Sequence, residues 1–182
     1  MSTSFRFSPS IPMLQTERLR LRGHHIEDFP HSAAMWADPR VVEHVGGKPL
    51  TEEEAWTKFL RYLGHWAALG FGYWLAEETS TGTFVGEIGF ADYKRELQPP
   101  LHGIPEAGWV LASHAHGKGY ATEAVRAITA WGDKHFGRVR TTCLIDPENT
   151  ASIRVALKCG YRESGLATYK NHKVKIFFRD PI

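Results

Sequence analysis

The stretch His114-Ala115-His116-Gly117-Lys118-Gly119-Tyr120-Ala121-Thr122-Glu123-Ala124 constrains this chain most, because it joins an apolar strand to an amphipathic helix through a glycine turn. Upstream, residues 107–112 are apolar and include Trp109 and Val110. Downstream, Ala121, Ala124, Val125, Ile128 and Trp131 recur at helical spacing, so the turn opens a helix. The first N–H groups of a helix have no partner within it and lie at the positive end of its dipole, so a site built there attracts an anion. Glycine at 117 and 119 removes the Cβ atoms that would hold a ligand off those groups. An ordinary strand–turn–helix connection with no ligand uses the same letters, and the rest of the chain must decide between the two.

Two familiar glycine motifs do not fit. A P-loop needs four residues between its glycines followed by Gly-Lys-Ser/Thr, whereas Gly117 and Gly119 are separated only by Lys118. The dinucleotide fingerprint requires Gly or Ala where Thr122 stands, after a βαβ unit that is not evident here.

The chain resembles the GCN5-related N-acetyltransferase (GNAT) superfamily, whose acyl-CoA signature Gln/Arg-x-x-Gly-x-Gly/Ala sits at this junction and here reads His114-x-x-Gly117-x-Gly119. The glycines match; His114 departs from the usual Gln or Arg. Four further stretches resemble the RimJ/RimL-type branch that acetylates the N-termini of ribosomal proteins: Leu14–Arg22 with Thr16-Glu17-Arg18-Leu19, Gly86–Phe90, Gly119–Ala124, and Asn149-x-x-Ser152 followed by Lys158-Cys159-Gly160-Tyr161. The resemblance runs from about Leu14 to Arg179.

Composition agrees with one domain spanning residues 1–182. A hydrophobic share of 42% over 182 residues supports a sizeable core. A formal net charge of +2 gives no general attraction to nucleic acid or membrane. Met1 to Pro12 has no apolar h-region, and nothing approaches the ~18 to 20 apolar residues of a membrane span, so a cytoplasmic protein is expected. Cys143 and Cys159 form no metal-ligand pair or disulfide framework and read as buried free thiols. The ten histidines lack the spacing of a zinc enzyme, no metal is expected, and His114 and His116 read as solvated or anion-facing.

Arg18 to Arg22 alternates Leu with Arg and predicts a strand with one wet face. Ile26–Ala37 and Thr51–Leu69 predict helices, the second with Thr51 and Glu54 in a capping box. Strands follow at Phe71–Glu78 and Phe84–Tyr93, then a Pro- and Gly-rich loop over 94–105. After the long helix at the glycine turn come a strand at Thr141–Ile145, a helix at Thr150–Cys159, and strands near Tyr161–Tyr169 and Lys173–Arg179. The order predicts an α+β domain with a mixed, largely antiparallel sheet flanked by helices.

The resemblance implies that the strand of Trp109, Val110 and Leu111 splays from the strand of Cys143 to Ile145, with the pantetheine arm of acetyl-CoA in the gap. Main-chain groups near Val110 and Leu111 would pair with its amides. The N–H groups from Gly117 through Lys118, Gly119, Tyr120 and Ala121 to Thr122 would hold the pyrophosphate, with His116 beside it. Lys118 either adds charge there or is a solvated lysine, and Asn149 either bonds the arm or caps a helix. For proton removal from the amine the first choice is Glu106 and the second Glu87, although either can be a strand carboxylate with no such role. A main-chain N–H at Val110 or Leu111 would stabilise the oxyanion. Many relatives protonate the thiolate with a Tyr seven residues after the Asn; that position is Ala156, so Ser152 is the candidate acid, or else a helix-start hydrogen-bonding group.

The expectation is an acetyl-CoA-dependent N-acetyltransferase acting by direct attack in a ternary complex on a protein N-terminus or a small amine. The alternative is a catalytically reduced acyl-CoA-binding regulator, suggested by His114 and Ala156. Acceptor identity and a homodimer stay open.

Overall fold

The computed structural model describes residues 11–98 and 100–182, so most of the Met1–Pro12 segment lies outside the described residues. The chain order is β1 (Leu14–Gln15), β2 (Leu19–Arg22), α1 (Phe29–Trp36), α2 (Pro39–Val42), α3 (Glu52–Leu69), β3 (Tyr73–Glu78), β4 (Phe84–Ala91), β5 (Glu106–Leu111), α4 (Tyr120–His135), β6 (Thr141–Ile145), α5 (Thr150–Lys158), β7 (Arg162–Tyr169) and β8 (His172–Arg179). The strands form one sheet in the order β1-β2-β3-β4-β5-β6-β8-β7. Neighbours run antiparallel except β5 and β6, so the expected mixed sheet is the one found.

Two local differences have physical reasons. The first predicted helix begins as a 3-10 turn at Ile26–Asp28, because Asp28 accepts the His25 N–H, and Pro30 then stands in the first turn of α1. The predicted alternation of β2 is present, with Leu19 and Leu21 buried, but its partly exposed Arg face is also ion-paired: Arg20 and Arg22 donate to Glu77 on the adjacent strand, a residue 5% exposed.

α3 follows the expected design. Thr51 Oγ accepts from the Glu54 N–H at 3.2 Å while Glu54 accepts from the Thr51 N–H at 2.9 Å, and Gly70 ends the helix at φ 72°. Its buried stripe is Ala55, Phe59, Tyr62 and Trp66. β4 is buried at all eight positions because both faces of the sheet are covered there. On one side α4 and α5 enclose a core with Trp74, Ile88, Phe90, Ile128 and Phe177; on the other, α1 and α2 pack Met35, Trp36, Val41 and Val42 against Leu75, Phe84 and Val110. Among the described residues no helix is long and apolar enough to cross a membrane.

Candidate active site

The sheet opens between β5 and β6, the only parallel pair among the described residues. β5 and β6 register at a single point, Glu106 with Thr142, where the Thr142 N–H donates to the Pro105 carbonyl at 3.0 Å. Antiparallel ladders alternate, and the Ala112 N–H bonds the Val85 carbonyl, so the bonded pairs of this ladder are 85 with 112 and 87 with 110. Val110 therefore directs its N–H and C=O at β4. Trp109 and Leu111 direct theirs into the gap. The main-chain role expected of Val110 passes to its neighbours, and Val110 contributes its buried side chain to the opposite core.

Because β5 and β6 are parallel, the helices that follow them begin at the same end of this gap. Gly117 and Gly119 have φ 75° and 81°, conformations that other residues adopt only with strain, and Gly119 is the N-cap of α4. Among the described residues no side chain caps that end, and the first intrahelical bond runs from the Glu123 N–H to the Gly119 carbonyl. The N–H groups of Tyr120, Ala121 and Thr122 precede it. A Cβ at Gly117 would project into open space. At α5, Asn149 Oδ1 accepts from the Ser152 N–H at 2.9 Å, so Asn149 is an N-cap whose amide NH2 stays available; the Ser152 hydroxyl makes no hydrogen bond among the described residues.

Several side chains make contacts that local sequence does not announce. His114 and His116 are exposed, and each also bonds main chain: Nε2 of His114 donates to the Phe84 carbonyl and Nε2 of His116 to the Leu111 carbonyl, each at 2.9 Å. Carbonyl oxygens only accept, so each ring carries its proton at Nε2. The Tyr120 hydroxyl donates to Glu78 at 2.8 Å, and Lys118, about half exposed, stands 4.0 Å from the same carboxylate. Ala156 is fully buried in the main core.

Both candidate carboxylates have partners. Arg95 grips Glu106 with two bonds, Nε to Oε2 at 2.6 Å and Nη2 to Oε1 at 2.7 Å, while its guanidinium lies between the rings of Tyr93 and Tyr169. Burial works against the Arg95 charge, yet Glu106 holds its pKa above the usual value. Arg95 also lines an open cleft of about 770 Å³ between residues 95–98, 100 and 102 and the β7–β8 hairpin. Glu87 is fully buried, accepting from Ser32 Oγ at 2.6 Å and Trp36 Nε1 at 2.8 Å, with His24 Nε2 3.5 Å away. Burial alone would push its carboxyl up; His24 and the two donors outweigh burial and hold it below its usual range.

Sequence reasoning missed Arg95, which sits in a loop without periodicity, and the partners of Glu87, although a carboxylate amid Val85, Ile88 and Phe90 was a visible anomaly. It also missed Lys58, which lies 4.0 Å over the Trp36 ring and whose pKa is lowered to about 8, chiefly by burial and then by Arg61. Burial pushes Cys143 well up and Cys159 up to about 11, so neither is a ready thiolate nucleophile.

Residues 18–162 match the Acetyltransferase (GNAT) domain model. YkkB of Bacillus subtilis is 32% identical over 172 residues, covering 91% of this chain and 94% of YkkB. A GnaT-family acetyltransferase from Bordetella pertussis is similar in structure, with TM-score 0.81 and 31% identity over 92% of this chain and 99% of that one. At 14% identity the fold is shared with RimL, a ribosomal alpha-N-protein acetyltransferase solved with coenzyme A (TM-score 0.74, 93% and 98% covered), and with Vibrio cholerae spermidine N-acetyltransferase solved with CoA and spermine (TM-score 0.71, 91% and 97% covered).

The buried Glu87 cluster predicts an acid-sensitive contribution to stability. A carboxyl whose folded pKa is depressed stabilises the fold above its unfolded value, about 4.3, and the contribution is lost as pH falls through the folded value. Glu87→Gln is expected to lower stability at pH 7 by about 1–3 kcal/mol, the scale of hydrogen bonds to a charged group, and to lose less stability than the parent on acidification below about pH 5. Urea unfolding across pH checks this, and parallel acid limbs would contradict it.

Proposed function

The chain belongs to the GNAT acetyltransferase family and is an acyltransferase, and on this premise we propose that it moves an acetyl group from acetyl-CoA to a primary amine by direct attack within a ternary complex. One observation carries most weight. A parallel strand pair opens beside a helix whose N-terminus is uncapped and entered through two positive-φ glycines.

The residues present fit the cofactor. Extended amides can pair with the Trp109 main chain as an added strand does, the Leu111 N–H faces the thioester, and the Asn149 amide adds a donor. The N–H groups of Gly119, Tyr120, Ala121 and Thr122 face an anion at the positive helix end, with Gly117 giving the turn its shape and Lys118 adding charge. His116 acts indirectly, by occupying the Leu111 carbonyl. The CoA named for two fold neighbours supports this placement.

Acetyl-CoA supplies a thioester carbonyl, and this chain's groups manage the charges and protons around it. An alkyl ammonium must lose a proton to attack, and Glu106 accepts it directly or through water; Arg95 orients the carboxylate while leaving each oxygen a second lone-pair direction. Glu87, enclosed and already satisfied, is assigned to structure. The Leu111 N–H, aimed into the gap, stabilises the developing oxyanion. As the nitrogen–carbon bond forms and the carbon–sulfur bond breaks, Ser152 would give its hydroxyl proton to the departing sulfur and recover one, through water, from the new amide nitrogen, which must shed its second proton. The high thiol pKa values of Cys143 and Cys159 argue against a covalent acyl-enzyme.

The acceptor is a protein N-terminus or a small amine, received on the face of Glu106, where the Tyr73 hydroxyl fills the space a Cβ at Gly108 would need. A cytoplasmic location is part of the proposal, in keeping with two free, buried thiols. Release of CoA across an amine panel tests the activity; cofactor binding without amine-dependent turnover would instead identify a regulator.

Three substitutions separate the roles. Gly117→Glu puts a side chain and a negative charge at the anion site, and calorimetry should show acetyl-CoA affinity falling at least tenfold; a change within about threefold, roughly 0.7 kcal/mol, would sink the cradle. Glu106→Gln should retain cofactor affinity while turnover falls by about 10², with the deficit shrinking at alkaline pH where the amine deprotonates unaided. A deficit constant with pH would remove Glu106 as the base. Ser152→Ala should depress kcat more than it weakens binding, and an activated aryl thioester should recover the lost rate; parental turnover of acetyl-CoA would leave Ser152 a helix-start residue only.

A further inference from the structure

The Thr16-Glu17-Arg18 motif and Glu123, far apart in sequence, meet at the glycine turn. Glu123 Oε1 accepts from Thr16 Oγ at 2.7 Å and from the Arg18 N–H at 2.8 Å, and Oε2 accepts from Arg18 Nε at 2.7 Å. Held this way, Arg18 extends its guanidinium under the turn, where Nη1 donates to the Lys118 carbonyl at 2.9 Å and Nη2 lies 3.5 Å from the space a Cβ on Gly119 would take. Its face stacks on the Tyr120 ring, 4.7 Å from the centroid.

A trans peptide is planar, so its C=O and N–H point in opposite directions. The Lys118 carbonyl and the Gly119 N–H belong to one peptide unit. With the carbonyl pinned to Arg18, the N–H is turned away from Arg18. Glycine on both sides of Lys118 leaves this unit easy to rotate, since Gly117 and Gly119 accept conformations that other residues resist. We infer that Arg18, locked by Glu123 and Thr16, is a positioning residue that holds the Lys118–Gly119 peptide with its N–H toward the pyrophosphate of acetyl-CoA. The inference rests on the cradle proposed above and adds the device that orients it.

The test compares acetyl-CoA with acetyl-pantetheine, which carries the same thioester but no pyrophosphate, as the ratio of the two kcat/KM values. The parent should prefer acetyl-CoA, and a parent without preference would overturn the cradle itself. Arg18→Ala should lower the ratio roughly tenfold, the scale of a lost hydrogen bond to a charged group, with the loss falling on acetyl-CoA. Glu123→Gln separates positioning from simple charge. Removing a negative charge beside an anion site would strengthen acetyl-CoA binding if electrostatics alone mattered, whereas loss of the lock on Arg18 should weaken it. A ratio unchanged in Arg18→Ala, equal losses for both thioesters, or acetyl-CoA binding by Glu123→Gln at least as tight as the parent's would each overturn the assignment.

Discussion

The structure turns on an interruption. β5 and β6 meet at Glu106 and Thr142 and then part, although continuing the ladder would pair several main-chain groups. An unpaired amide buried without a partner is costly, so a sheet that stops pairing in its middle must either admit water or hold a ligand with matching donors and acceptors. The rest of the fold makes the break sustainable. β5 keeps its full register with β4, and β6 keeps five paired positions with β8, so each side is rigid on its own. The two helices that follow the diverging strands then start beside the opening.

A second constraint lies on the face of the sheet that carries Glu106. Three carboxylates, Glu77, Glu87 and Glu106, are drawn into the sheet and none is left alone: Glu77 takes two arginines, Glu106 takes Arg95, and Glu87 takes Ser32 and Trp36. Burying charge costs several kcal/mol unless donors surround it, which makes each site intolerant of losing one partner. The ring nitrogens of His24 lack hydrogen-bond partners among the described residues, and the ring packs edge-on to Phe59 and stacked on Tyr62.

Much of this was legible because local signals and tertiary structure agreed. The α3 capping box, the glycine turn and the strand at Thr141–Ile145 emerged as expected, each from chemistry contained in a few adjacent letters. The single-point contact of β5 and β6 followed from family resemblance, since nothing in their composition announces where pairing ends. What escaped was long-range. Arg18 and Glu123 are 105 positions apart, Ser32 and Glu87 are 55 apart, and periodicity cannot report which charged group a distant loop will bring. The histidines of the turn are exposed, as expected, but the carbonyl that His114 meets, at Phe84, lies 30 positions away and was equally illegible.

Those two histidines also bear on how firmly the glycine turn is held. His114 and His116 each donate through Nε2 to a carbonyl, and neither bond needs the second ring nitrogen. The far ends of the two rings reach main chain on the sheet, His114 at Phe84 of β4 and His116 at Leu111 of β5. The loop that carries Gly117 and Gly119 is therefore laced at two points to the strands it has just left. A turn that glycine makes easy to deform is steadied by the side chains that precede it.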